Sequence, residues 1–92
     1  MILSCRDKRT EAFARSEFVR EFQGFARQAY KRLEVLDAAA TLTDLAALPS
    51  NRLEALKGNW TGFHSIRVND QWRVVFRWTE SGPEDVDIVD YH

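Results

Sequence analysis

Gln71-Trp72-Arg73-Val74-Val75-Phe76-Arg77-Trp78 is the stretch that decides the fold. Trp72, Val74, Phe76 and Trp78 alternate with Arg73, Val75 and Arg77. A period of two is the mark of a β-strand with one buried face. Upstream, Phe63 to Val68 reads as a second, weaker strand. With Asn69-Asp70-Gln71 as the loop, Val68 faces Trp72, Ile66 faces Val74 and His64 faces Phe76. A two-residue loop would set Ile66 against Arg73 and mix apolar with charged groups on one side. A slip of one residue flips every side chain, so burial selects the odd-length loop. The other face then carries Arg67 opposite Arg73, with Arg77 further along. Like charges directly opposite destabilise a sheet, and a polyanion bound there would relieve them.

Outward from this hairpin, Val86 to Tyr91 gives a third strand, joined to Trp78 by the polar loop Thr79 to Asp85. The N-terminal half is helical in period. Met1 to Cys5 reads as a short strand, and Lys8 to Arg15 as a short helix with Asp7 as its N-cap. From Ser16 a second helical stretch follows. Phe18, Phe22, Phe25, Ala29, Leu33, Leu36 and Ala40 mark its apolar face, widened by Ala26 and Tyr30. Gly24 inside it costs about 1 kcal/mol relative to Ala, tolerable where packing is close. Thr41-Leu42-Thr43-Asp44 carries a capping-box pattern opening a third helix, which Pro49 ends. Helices first and an antiparallel meander afterwards give the class α+β, with the helices on one sheet face and the other face open.

Ninety-two residues fit one domain spanning 1–92. With 45% hydrophobic and 29% charged residues the composition is that of an ordinary globular chain. The longest apolar run, Leu45 to Leu48, is far short of a membrane span, and Met1 to Asp7 turns charged too early for a signal peptide. Cys5 is the single cysteine, which excludes an internal disulfide and a cysteine-based zinc cluster; it reads as a small buried hydrophobe. A cytoplasmic location and no membrane partner are expected. The net charge of −1 hides an asymmetry. All 13 Lys and Arg lie within residues 1–79, whereas Glu80, Glu84, Asp85, Asp87 and Asp90 lie beyond. A basic body with an acidic end suits an anion-binding surface with carboxylates nearby.

Most familiar chemistries lack their residues. His64 and His92 fall in different elements, without HExxH or paired acids, so no metal site is expected. No serine sits in a G-x-S-x-G turn, and four glycines form no phosphate loop. What remains is a set suited to phosphate. Lys57 precedes Gly58 at the start of the sheet, Arg73 projects from the open face, and Asp90, Tyr91 and His92 are the last three residues of the sequence. Cations there can stabilise charge on a phosphorane, and a histidine with carboxylates can exchange protons. His64 faces the core and reads as a packed histidine, while Trp60, Trp72 and Trp78 read as packing residues. Arg20, Arg27 and Lys31 share one helical stripe, readable as a solvated face or as a contact for RNA phosphates.

At these residues the chain resembles the HigB-type toxins of the RelE superfamily, ribosome-dependent messenger RNA endonucleases of toxin–antitoxin pairs. The resemblance rests on Leu56-Lys57-Gly58, Ser65-Ile66-Arg67-Val68, Gln71-Trp72-Arg73-Val74 and Asp90-Tyr91-His92, in that order. It implies a RelE-like fold, cleavage of messenger RNA in the ribosomal A site, and neutralisation by a HigA-type helix-turn-helix antitoxin. Operator DNA would be met only through that antitoxin. Carried over residue by residue, Lys57 and Arg73 match the phosphate-binding cations, and Asp90, Tyr91 and His92 match the catalytic C-terminal segment. The implied chemistry is attack by a ribose 2′-OH on the adjacent phosphate, without metal or cofactor. One departure stands out: Glu54 occupies a position where family members can carry a histidine. Either this carboxylate takes over the proton transfer or the activity is weakened. Arg67 and Arg77 would extend the RNA-binding face, with Arg20, Arg27 and Lys31 on the helical side.

Overall fold

A computed structural model describes residues 1–90. Its elements are α1 (Lys8–Ala14), α2 (Ala26–Ala38), α3 (Leu42–Ala46), β1 (Glu54–Ala55), β2 (His64–Arg67), β3 (Trp72–Thr79) and β4 (Gly82–Asp90). The strands form one antiparallel sheet in the order β1-β2-β3-β4. The hairpin register is the expected one, with His64 opposite Phe76, Ile66 opposite Val74 and Arg67 opposite Arg73. Asn69 fixes the three-residue loop, because its side-chain oxygen accepts from the backbone N–H of both Gln71 and Trp72 at 2.8 Å.

The helices cover one face of this sheet. Phe13, Phe22, Leu36 and Leu45 meet Ile66, Val74, Phe76 and Ile88 in the main core. Trp72 stacks on Phe25 at 4.8 Å, and Trp78 meets Phe76 edge-on, so both tryptophans pack as expected. His64 lies beside Phe76, with its Nδ1 buried and without a hydrogen-bond partner among the described residues. Asp7 caps α1 by accepting from the Thr10 N–H at 2.8 Å, and Thr41 and Asp44 form the reciprocal capping box of α3. Cys5 packs half-buried against the core, where burial pushes its thiol pKa up.

Five expectations are corrected. The second helical stretch is not one α-helix from Ser16. Arg20–Phe25 is a 3₁₀ helix, and α2 begins at Ala26 and stops before Ala40. In a 3₁₀ helix residues three apart eclipse, so Val19, Phe22 and Phe25 line up inward. Phe18 is left 76% exposed, and Ala40 is exposed as well. Nothing approaches Gly24 closely enough to require a glycine, so close packing does not explain it.

The connection after β3 is also shorter than expected. Thr79 pairs with Gly82 across a tight turn at Glu80-Ser81, and Thr79 Oγ1 donates to the Gly82 carbonyl at 2.7 Å. Gly82 adopts φ +134°, and a Cβ there would sit 2.5 Å from the Met1 carbonyl oxygen. Pro83 is admissible because β4 is an outer strand. Residues 1–5 then run alongside β4 as a single parallel bridge, Cys5 to Val86, rather than as a strand. Asp85, in a left-handed conformation at φ +51°, lies at the β4 irregularity and interrupts a longer ladder.

Finally, the far face of the sheet is not simply open. After β1 the Leu56 N–H bonds to the Phe63 carbonyl at 2.9 Å, one rung beyond the β1–β2 ladder. Leu56, Phe63 and Val75 form a second small core, edged by Trp60 and Val89. The part near the β2–β3 loop forms a cleft.

Candidate functional site

That cleft measures about 540 Å³ and is lined by Arg52, Leu53, Glu54, Arg67, Asn69, Asp70 and Arg73. Three arginines and two acids thus meet in one depression. β1 brings Glu54 opposite Ser65, β2 brings Arg67, and β3 brings Arg73. Strand alternation puts all of these side chains on the face away from the helices.

Arg73 is the most constrained. Its Nε donates to Ser65 Oγ at 2.7 Å, and its Nη2 donates to the Arg52 carbonyl at 2.6 Å. Ser65 is wholly buried, so the guanidinium is anchored on its strand side. Arg67 forms an ion pair with Asp70 of the hairpin loop. A bound polyanion was expected to relieve the Arg67–Arg73 opposition, and the ion pair adds a source of relief within the chain. The chain offsets part of it internally, through a loop acid that is 97% exposed.

The other expected residues are spread more widely. Lys57 is exposed, three residues beyond Glu54, and does not line the cleft. It precedes a short 3₁₀ turn, Gly58–Trp60, in extended conformation. Asp90 pairs with Trp72, not with Arg73. Alternation therefore sets its side chain toward the helix side of the sheet, where Gln71 Nε2 donates to its Oδ2 at 2.8 Å. Tyr91 and His92 lie outside the described residues. Arg77 shares the Arg73 face further along β3, over the Phe63 ring at 4.9 Å and 3.7 Å from Asp85. Arg6 lies over the Trp60 ring at 4.8 Å, which adds a cation to this face that sequence patterning had not marked.

Arg20, Arg27 and Lys31 do not form one continuous stripe. Arg20 lies in the 3₁₀ segment, whereas Arg27 and Lys31 share an exposed face of α2 one turn apart, and none of the three lines the cleft. Among the described residues no cluster of three potential metal ligands forms, and no helix is long and apolar enough to cross a membrane. Arg52 and Asp70 are the charged cleft residues that sequence reasoning missed. Asp70 was legible as a loop residue, but only the folded hairpin turns it back onto Arg67. Arg52 sits in an irregular turn without any periodic signal.

A cleft of anchored and tethered guanidiniums beside carboxylates can hold a phosphodiester and exchange protons around it. Comparison with known proteins gives the family. Residues 5–92 match the model of the HigB-like toxin family, described as the RelE-like toxin HigB of type II toxin–antitoxin systems. Toxin HigB-1 of Vibrio cholerae serotype O1 is 49% identical over 51 residues, 55% of this chain and 54% of that protein. An uncharacterized Haemophilus influenzae protein is 33% identical over 48 residues, 52% of this chain and 48% of the other. The matched stretches thus span about half the length of these relatives. In fold, the chain is similar to the YoeB–YefM complex from Staphylococcus aureus, with a TM-score of 0.59 and 21% identity over 100% of this chain and 95% of that one. It is likewise similar to a YoeB/ParE toxin from Agrobacterium tumefaciens, with a TM-score of 0.58 and 18% identity over 99% and 98% of the two chains. The protein belongs to the HigB-like family of RelE-like toxins of type II toxin–antitoxin systems.

Proposed function

We propose that this toxin is a ribosome-dependent, metal-independent endoribonuclease that cuts messenger RNA and so inhibits translation. The observation that carries the reading is Arg73, held by Ser65 and the Arg52 carbonyl in a cleft shared with Arg67 and Glu54. Toxins of this kind are generally endoribonucleases, which agrees with such a cleft. In the reaction the ribose 2′-oxygen forms a bond to the adjacent phosphorus while the bond to the 5′-oxygen breaks. A base removes the 2′ proton, and the leaving 5′-oxygen receives one. The products are a 2′,3′-cyclic phosphate and a 5′-hydroxyl. Arg73 and Lys57 stabilise the charge that gathers on the phosphorane. Glu54, Asp90, Tyr91 and His92 are the residues available for proton transfer and orientation. Arg67 and Arg77 hold the RNA strand nearby, and Arg20, Arg27 and Lys31 meet ribosomal RNA from the helical side.

Residues 1–92 act in this reading as one cytoplasmic toxin domain. Its neutralising partner is a HigA-type helix-turn-helix antitoxin, through which operator DNA is reached. The YoeB–YefM complex supports an antitoxin partner by analogy of fold.

A second reading is favoured by two observations. Glu54 stands where family members can carry a histidine, and Asp90 pairs with Trp72 rather than Arg73. A module with weak catalysis would act mainly by binding its antitoxin and shaping operator occupancy. Expression without antitoxin separates the two. Growth arrest with cuts mapped inside translated messages, abolished in Arg73→Ala, is the expected result. Unimpaired growth and intact messages on translating ribosomes would leave the binding module as the better account.

A further inference from the structure

We infer that Arg52 is a second phosphate-holding residue of the cleft, taking the phosphate next to the one at Arg73 on a single-stranded RNA. The inference rests on the proposed RNA-cleaving function and deepens it. Three features of Arg52 lead to it. Its backbone is left-handed, at φ 45° and ψ 53°, a conformation that glycine or asparagine adopts at less cost. Non-glycine residues persist there when the surroundings over-determine them, and such strain gathers at functional sites. The surroundings here are explicit. Asn51, wholly buried, donates to the Leu45 carbonyl at 3.0 Å and accepts from Arg32 at 2.6 Å, which pins the turn.

The second feature is what the turn accomplishes. It aims the Arg52 carbonyl at Arg73 Nη2, 2.6 Å away, while the Arg52 side chain lines the same cleft. One residue thus orients one guanidinium through its backbone and contributes another. The third feature is charge. Arg67 is matched by Asp70, but the Arg52 guanidinium forms no ion pair among the described residues. An exposed arginine that forms no ion pair among the described residues, beside an anchored one, suits a chain of repeating phosphates rather than a single anion.

The test uses the whole chain and a short 2′-O-methyl RNA, which binds but cannot be cut. Binding is followed by fluorescence anisotropy across a salt series, and the thermal midpoint is recorded alongside. Arg52→Asn, which tolerates the left-handed turn, is expected to weaken binding on the order of tenfold. The slope of log affinity against log salt should shrink by about 0.7, one phosphate contact on a single strand. Its midpoint should be unchanged or higher. Arg52→Lys, which restores the charge, should recover most of the salt slope. Equal binding and slope in Arg52→Asn and wild type would overturn the inference. So would a fallen midpoint in step with the lost affinity, equal losses in both variants, or no binding by wild type. Cleavage by wild type on programmed ribosomes is read separately. RNA held but never cut would reject the enzymatic function while leaving Arg52 as a ligand.

Discussion

On one face of β3, Val74 and Phe76 are wholly buried beneath the helices; on the other, Arg73 and Arg77 flank a single buried valine, Val75. The same eight residues therefore serve two different purposes. The helix side is held by apolar burial, which is non-directional and proportional to area. The far side has only a small core around Val75 and adds directed bonds, Arg73 to Ser65 and to a carbonyl, and rings under cations. The first kind of order stabilises the fold. The second kind places charge where a substrate can meet it, and substitutions should separate the two.

The largest effects test this separation directly. Phe76→Ala, on the helix side, should cost about 3–5 kcal/mol of stability, the usual loss for a fully buried aromatic. For a chain of this size that is a large part of the whole, so soluble yield and denaturant midpoint should both fall. Arg73→Ala, one face away, should lower single-turnover cleavage on programmed ribosomes by roughly 100–1,000-fold. Its midpoint should fall far less than that of Phe76→Ala. Cleavage within threefold of wild type in Arg73→Ala would erase the distinction between the faces.

How much of each face could be read from the sequence follows from the same physics. Burial imposes a period, and a period is visible in a string of letters. Hence Val74, Phe76, Ile66 and the hairpin register were legible, and so were the caps Asp7 and Thr41. The split of residues 20–38 into 3₁₀ and α segments was not, because Phe18, Phe22 and Phe25 fit an α-helical period as well as Val19, Phe22 and Phe25 fit a 3₁₀ one. On the cleft face Arg67 and Arg73 were found through their strands. Arg52 was missed because a left-handed turn leaves no spacing to detect, and Asp70 because its role depends on the loop folding back. Trp60 and Phe63 covered a face that alternation alone would leave open.

The Arg67–Asp70 pair sharpens the comparison at the cleft rim. Asp70 pairs with Arg67, the guanidinium assigned to the RNA strand in the proposed function. Asp70→Asn should therefore raise the affinity for 2′-O-methyl RNA severalfold and steepen its salt dependence. It should also lower stability slightly, by at most about 1 kcal/mol, since Arg67 then faces Arg73 without the charge of Asp70. Unchanged affinity in this variant would mean that Arg67 does not meet RNA.

The smallest effect concerns Asp87, the buried carboxylate of this face among the described residues. It pairs with Val75 in the register, and Thr10 Oγ1 donates to it at 3.1 Å. Burial raises its pKa, and the nearby negative charge of Asp7 adds to the rise, against the opposing pull of Arg6 and Thr10. The folded protein thus holds this proton more tightly than the unfolded chain, whose carboxyl titrates near the ordinary 3.8. Linkage then fixes the sign. Stability is greatest below the unfolded value and declines as pH rises through the window up to the raised folded value. Asp7 acts in the opposite sense. Burial works against its charge, but the bonds from Thr10 and Arg9 prevail and lower its pKa, so its contribution is lost as pH falls. The two trends overlap in wild type, and a variant is needed to part them. Asp87→Asn keeps an oxygen for Thr10 and removes the buried charge. The difference in stability between Asp87→Asn and wild type should be small near pH 3, grow in favour of the variant as pH rises, and level off toward neutrality. Cleavage should be unaffected, because Asp87 lies outside the cleft. Chemical denaturation of both proteins from pH 3 to pH 7 measures it. A difference independent of pH would show that Asp87 is no more costly when charged than any surface acid, and that this face tolerates burial of charge as readily as exposure.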